Sequence, residues 1–375
     1  MSLVYVDVSA AVHRRAGLGR YAENLARALA PLLPDELALF YNREEGIEPL
    51  PGLECLPSST VALGYKPWRM LVWLGQLAHV NFNRLVPGAV LFHATEHLLP
   101  PLRGVPTVLT VHDLIFRRLP EHHKPLNRWY LNLTMPLYCR RATHIIAVSE
   151  QTRRDVVSAY GIPAEKVTVI YEAADSRFRI QPPEMVAAAR ARYHLPERYL
   201  LFVGTIEPRK NLTRLLTAFE RLRAEGLTDA IVIVGRRGWL TGDFDAALEH
   251  SPAKQAVLFP GFVPDEDLPA VYAGAQVLVM PSLYEGFGLP VLEAMASGTA
   301  VACSNNSSLP EIAGESALVF DPTEVDDISG TLRRILRDTD VRSHLRDAGA
   351  RRAGLFSWER AARETLTLYQ RLAGL

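Results

Sequence analysis

The residues that could do chemistry in this 375-residue chain lie in a few charged and glycine-bearing segments, each just after a short apolar run. The most informative is Glu285-Gly-Phe-Gly-Leu-Pro-Val-Leu-Glu293, which follows Val277–Met280 and the Pro281-Ser282 turn. Gly286 and Gly288 let the backbone of Gly286, Phe287, Gly288 and Leu289 approach a ligand closely, and Pro290 suits the first turn of a helix. The amides of that turn, together with the helix dipole, make an anion site. Glu293, one turn inside, can accept hydrogen bonds from a polyhydroxyl group such as a ribose. Glu285 precedes the loop, near whatever is attached beyond the phosphate.

A second segment, Gly204-Thr-Ile-Glu-Pro-Arg209-Lys210-Asn211, follows the run Tyr199–Val203. Two adjacent cations at a strand-to-helix junction can neutralise a diphosphate and the charge that grows on it as it leaves. Arg supplies a planar fork and Lys a point charge, so the two are not redundant. Asn211 is expected to cap the helix that follows. A third segment, Gly17-Leu-Gly19-Arg-Tyr-Ala22, has the outline of a dinucleotide fingerprint. It begins some eight residues beyond Val8, however, and no lone acid stands at a second strand end, so NAD binding is rejected. Gly17 and Gly19 remain a glycine loop able to touch a phosphate or an acceptor, or a plain helix entry. The fourth is His112-Asp113 at the end of Thr107–Val111, where a histidine can hydrogen-bond a substrate hydroxyl or pair with Asp113 for structure. His122-His123 lacks metal spacing, and Asp265 in Val-Pro-Asp-Glu-Asp-Leu reads as a helix cap, so no metal site is expected.

These segments must be held by alternating strands and helices. Strands are expected at Leu3–Val8, Val90–Phe92, Thr107–Val111, His144–Val148 and Val167–Ile170, with helices near Arg20–Ala30, Trp68–Leu85, Leu126–Arg141 and Gln151–Tyr160 between them. The alternation lapses over Glu172–Pro196, then resumes with strands at Tyr199–Val203, Ala230–Val234, Ala256–Phe259, Val277–Met280 and Ala300–Ala302. The economical reading is α/β: two consecutive parallel sheets joined by a Pro182-Pro183 linker, with a ligand in the cleft between domains if the sheets face each other. Lys+Arg and Asp+Glu are 41 each, which removes the case for nucleic acid as a partner. Three scattered cysteines, no signal peptide and no long apolar run place the expectation in the cytoplasm or on the cytoplasmic face of a membrane. Trp68 and Trp73, flanked by Lys66, Arg69 and Arg84, suit weak peripheral association with an anionic membrane.

Taken together, Gly17–Tyr21, His112-Asp113, Ala147-Val-Ser149-Glu150, Glu207-Pro-Arg209-Lys210-Asn211 and Glu285 through Glu293 resemble the retaining nucleotide-sugar glycosyltransferases of family 4, more narrowly its mannosyltransferases. The resemblance implies the GT-B fold, α/β with two facing Rossmann-like domains and the active site in the cleft between them. Residues 1–172 with a returning helix in 357–375 would form an acceptor-binding domain, and 173–356 the nucleotide-sugar-binding domain. It implies that Arg209 and Lys210 hold the donor diphosphate, Glu293 the ribose, and Glu285 with Gly286–Leu289 the transferred sugar and phosphates. Val263 joins the donor contacts, and His112 meets the sugar from the other domain. The donor would be a GDP- or UDP-linked sugar of mannose or glucose type, with no further cofactor, and the acceptor a glycan or lipid-linked acceptor. The mechanism implied is front-face substitution, in which the departing diphosphate takes the acceptor's proton; the protein stabilises leaving-group charge and needs no metal. Two rivals are weighed against it: a nucleotide-sugar epimerase of the same fold, and a non-catalytic nucleotide-sugar-binding subunit.

Overall fold

The computed structural model describes residues 2–374 and divides into two compact units. Unit 1 comprises residues 1–117, 125–172 and 357–375; unit 2 comprises 118–124 and 173–356. Residues 118–124, which the sequence reading leaves in the first domain, group with the second.

Unit 1 is built on seven parallel strands: β1 (Leu3–Asp7), β2 (Leu37–Asn42), β3 (Ser58–Val61), β4 (Ala89–Ala94), β5 (Thr107–Val111), β6 (His144–Ala147) and β7 (Val167–Val169), in the order β3-β2-β1-β4-β5-β6-β7. Unit 2 has six: β8 (Tyr199–Val203), β9 (Ala230–Val234), β10 (Val257–Leu258), β11 (Val277–Met280), β12 (Val301–Ser304) and β13 (Leu318–Phe320), in the order β10-β9-β8-β11-β12-β13. Central strands such as β5, β8, β9 and β11 are buried throughout, as strands covered by helices on both faces must be. In each sheet the strand order reverses once, between β1 and β4 and between β8 and β11. The carboxyl ends beside such a reversal open a crevice in which ligands of doubly wound sheets bind.

Three strands were not expected. β2 is a wholly buried run, Leu-Ala-Leu-Phe-Tyr-Asn, whereas β3 and β13 are short edge strands too polar or too brief to show a pattern. The expected helix Trp68–Leu85 stops at Leu77, where the chain turns through His79 in a left-handed conformation. Trp68, expected at a surface, is only 1% exposed and packs between Phe40 and Phe82 in the core of unit 1. The last helix, Trp358–Ala373, lies in unit 1: Tyr369 approaches His93 of β4 with its hydroxyl 2.6 Å from Nδ1.

Candidate active site

The reversal point of unit 2 is lined by two segments, one leaving β8 and one leaving β11, and a buried ionic network joins them. After β8 the chain makes a short turn, Pro208–Lys210, and passes through Asn211 in a left-handed conformation (φ 57°) into the helix Leu212–Ala224. Asn211 occupies the cap position without capping. Its amide instead donates to the carbonyls of Pro281 (3.1 Å) and Pro322 (2.7 Å), tying this segment to the one after β11. The Leu283 amide, donating to the Arg209 carbonyl at 2.8 Å, makes a second tie.

Across these ties sits the Glu285 carboxylate. One oxygen accepts from Lys210 Nζ at 2.5 Å and the other from Arg209 Nη1 at 2.8 Å; Arg209 Nε also meets Glu207 at 2.6 Å. Lys210 is 6% exposed and Glu285 is equally buried. Burial disfavours the carboxylate, but the charges of Arg209 and Lys210 outweigh it and bring Glu285 down to about 2. Lys210 is also lowered: burial and the neighbouring Arg209 pull it down more than Glu285 holds it up. The four groups therefore form one buried set of two cations facing two carboxylates.

The loop from Glu285 to Leu289 is pinned from behind. The Glu285 amide donates to Ser307 Oγ at 3.0 Å, and Ser308 Oγ lies 3.0 Å from the Glu285 carbonyl and 2.8 Å from that of Phe287. Gly288 takes φ 111°, and a Cβ there would stand 2.8 Å from Leu309, so only glycine fits the entry to the helix Leu289–Ala296. Glu293, one turn into that helix, is buried and accepts from the Tyr272 hydroxyl at 2.7 Å. Val263 is buried in the segment beyond β10.

Unit 1 has its own polar set at the β1/β4 reversal. Asp7 ends β1 and accepts the Ser9 amide at 2.8 Å; Thr95 and Glu96 follow β4, and Glu96 pairs with Arg15 at 2.9 Å. Burial, then the neighbouring Glu96, raises Asp7 to about 7. His112, just past β5, has both ring nitrogens engaged: Nδ1 with Glu172 at 3.0 Å and Nε2 with the Thr95 carbonyl at 2.9 Å. Burial would weaken its basicity, but the hydrogen bond and charge of Glu172 raise its pKa. Its partner is thus Glu172 rather than Asp113, whose carboxylate accepts the Ile115 amide. Gly17 and Gly19 lie inside the helix Ala16–Leu29. Gly17 is open on its Cβ side, whereas a Cβ on Gly19 would press within 2.8 Å of the Ala10 carbonyl.

The structure thus brings Arg209, Lys210, Glu285, the Gly286–Leu289 turn and Glu293 to one sheet end of unit 2, and His112, with the helix bearing Gly17 and Gly19, to unit 1. Sequence reasoning missed Asp7 and Glu96 as a pair. The available signal was an acid near the carboxyl end of each of two apolar runs, Asp7 closing β1 and Glu96 two residues beyond β4. It also assigned the helix cap to Asp265, which pairs with Arg177, while Asp267 holds the cap position of Leu268–Ala273.

With this geometry in place, the comparisons are direct. The model for Glycosyltransferase Family 4 matches residues 15–178 and that for Glycosyl transferases group 1 matches 189–352. The O-antigen chain mannosyltransferase B of Escherichia coli is 32% identical over 371 residues, 95% of this chain and 96% of that protein. The serotype-specific mannosyltransferase WbdA of Escherichia coli is 30% identical over 282 residues, which span 72% of this chain but 34% of that longer protein. Among solved structures, Anabaena HepE in complex with UDP-glucose superposes with a TM-score of 0.75 at 19% identity, covering 98% of this chain and all (100%) of that one.

Proposed function

This chain belongs to glycosyltransferase family 4 and is a glycosyltransferase of the GT-B fold, and on that premise we propose which sugar it moves and how. It transfers a mannosyl residue from a GDP- or UDP-linked donor to a hydroxyl of a glycan or lipid-linked acceptor, in polysaccharide synthesis. The named mannosyltransferases among its relatives support the sugar, and the UDP-glucose bound by HepE supports a nucleotide-linked donor. The observation that carries the reaction is the Glu207–Arg209–Glu285–Lys210 network at the reversal point of unit 2.

In this reading the acceptor oxygen attacks the anomeric carbon on the face from which the diphosphate departs. The carbon–oxygen bond to phosphate breaks with its electron pair going to the phosphate oxygen, which then takes the acceptor's proton. Configuration is retained. Arg209 and Lys210 take up the charge that grows on the diphosphate, so no divalent metal is needed, and the amides of Gly286–Leu289 bind the phosphate at a helix amino end. Glu285 aligns the two cations and lies near the sugar. Glu293, oriented by Tyr272, holds the ribose, and Val263 bounds the donor site. On unit 1, His112 can offer Nε2 to a substrate hydroxyl in exchange for the Thr95 carbonyl. Gly17 leaves room for a phosphate or acceptor, while Gly19 serves packing.

A thermal-shift screen against GDP-mannose, UDP-glucose, UDP-GlcNAc and ADP-glucose tests this. A donor present at about 100 times its dissociation constant adds about 2.7 kcal/mol of stability. Stabilisation by the mannose donor above the others is expected. Failure of every nucleotide sugar to stabilise the protein would overturn the proposal.

A further inference from the structure

Fifteen large apolar side chains are exposed among the described residues, and eight of them fall between Met70 and Leu133. They are not scattered. On the helix Tyr65–Leu77, Met70, Leu71, Leu74 and Leu77 recur at the spacing of one helical face, and Leu74 and Leu77 are each 52% exposed. On the helix Pro125–Arg141, Leu126, Trp129 and Leu133 recur at three and four residues, with Leu126 at 80% and Trp129 at 54%. The two helices are locked side by side. Trp73 meets Trp129 edge to face at 6.0 Å, Arg69 donates to Asn127 Oδ1 at 3.0 Å, and the Tyr130 hydroxyl donates to the Arg69 carbonyl at 3.1 Å. The two stripes therefore border one another on a rigid base. A contiguous apolar surface of this kind marks an interaction site.

The charge around it names the occupant. Residues 55–95 contain no Asp or Glu but contain Lys66, Arg69 and Arg84; residues 125–149 contain none either, but contain Arg128, Arg140 and Arg141. This one-signed bias occurs in a chain whose total charge is zero. Two acids reach this base: Glu44 accepts the Tyr65 amide, and buried Glu96, paired with Arg15, acts on Tyr65 and Arg69; both lie toward the amino end of the helix, away from Leu74 and Leu77. Exposed apolar side chains on two segments that carry cations and no acid suit a surface that is both oily and negative. No helix among the described residues is long and apolar enough to cross a membrane, so this surface can lie on a bilayer but not span it.

We infer that the outward faces of the helices Tyr65–Leu77 and Pro125–Arg141 dock on a bilayer containing anionic phospholipid. The contact is carried by Leu71, Leu74, Leu77, Leu126 and Trp129 entering the headgroup boundary, with Lys66 and Arg84 beside the phosphates. Trp68 takes no part because it is core, and Arg69 is held by Asn127 and over the Tyr130 ring at 3.9 Å. The inference stands on this surface alone and is read without turnover, so it can fail or hold independently of the transfer reaction.

The test is sedimentation of the full chain with phosphatidylglycerol/phosphatidylcholine vesicles and with phosphatidylcholine vesicles, at low and high salt. Binding to the anionic vesicles at low salt, falling as salt rises, is expected, with little binding to the neutral ones. Leu74→Asp/Leu77→Asp should lower partitioning at least tenfold. Lys66→Glu/Arg84→Glu should lower it by at least about fivefold per charge, the effect of about 1 kcal/mol for a cation near such a surface. Should the leucine pair not fold, as judged by circular dichroism, the exposed charge pair carries the test. Absence of wild-type binding at low salt would overturn the inference, as would variants that sediment like wild type. So would analytical ultracentrifugation showing a dimer that Leu74→Asp/Leu77→Asp dissociates, because the face would then belong to a second copy of the chain.

Discussion

Glu285→Gln isolates what the buried carboxylate does for its two cations. The amide keeps the shape but deprives Lys210, 6% exposed, of the carboxylate it donates to, and removes one of the carboxylates that meet Arg209. The Glu285 carboxyl, ordinarily near 4.5, is brought down to about 2. At about 1.4 kcal/mol per tenfold, that corresponds to about 3 kcal/mol, in line with the roughly 3–5 kcal/mol lost when one member of a buried ion pair is removed. For a unit of this size the melting temperature should fall by about 6–12 °C at pH 7. Because the folded pKa lies below the unfolded one, this stability is present above about pH 4.5 and is lost as pH falls toward 2. The gap between wild type and Glu285→Gln should therefore narrow through that range. A nucleoside diphosphate can replace the missing negative charge, so GDP or UDP should raise the melting temperature of the variant more than that of wild type. Scanning fluorimetry with and without nucleotide measures all three effects. An unchanged melting temperature at pH 7, with an unchanged nucleotide shift, would mean that Glu285 does not hold the two cations in place.

Steady-state kinetics should separate the remaining site residues. Lys210→Ala and Arg209→Ala should lower kcat by about 10²–10³-fold, since they act on charge that develops only in the transition state, while Glu293→Ala should chiefly raise the donor KM. If Glu293→Ala abolished turnover and the cation variants behaved like wild type, these roles would be wrongly divided. His112 adds a pH signature: its folded pKa is raised by Glu172, so the stability it contributes is complete below about pH 6.5 and declines as pH rises through the folded value. Glu172→Gln should flatten that decline, seen as melting temperature against pH from 6 to 9. An unaltered profile would mean that the pair is not the source.

The elements that carry the site were legible because each obeys a strong local rule. β8, β9 and β11 are unbroken apolar runs, and Gly288 with Pro290 announces a helix entry. Less legible was what depends on tertiary contacts. Asn211 looks like a cap because caps are the commonest local use of Asn, but two distant proline carbonyls claim its amide. Trp68 looks amphipathic beside Lys66 and Arg69, yet the helix turns it inward against Phe40 and Phe82. Asp7 and Glu96 are far apart in sequence and meet only because β1 lies beside β4. Glycine is as ambiguous: Gly17 and Gly19 form one motif on paper, but one is open and the other is required by the close approach of Ala10.

We propose that this glycosyltransferase moves mannose with retention, using Arg209 and Lys210 in place of a metal ion. The most direct measurement is an NMR time course of the wild-type enzyme with GDP-mannose and a short mannose oligosaccharide, in excess EDTA, following the anomeric signals of the product. An α-linked product matching the α-configuration of the donor is expected, appearing at the rate at which the nucleoside diphosphate is released. A β-linked product, or turnover that stops in EDTA and returns with Mg²⁺ or Mn²⁺, would contradict it.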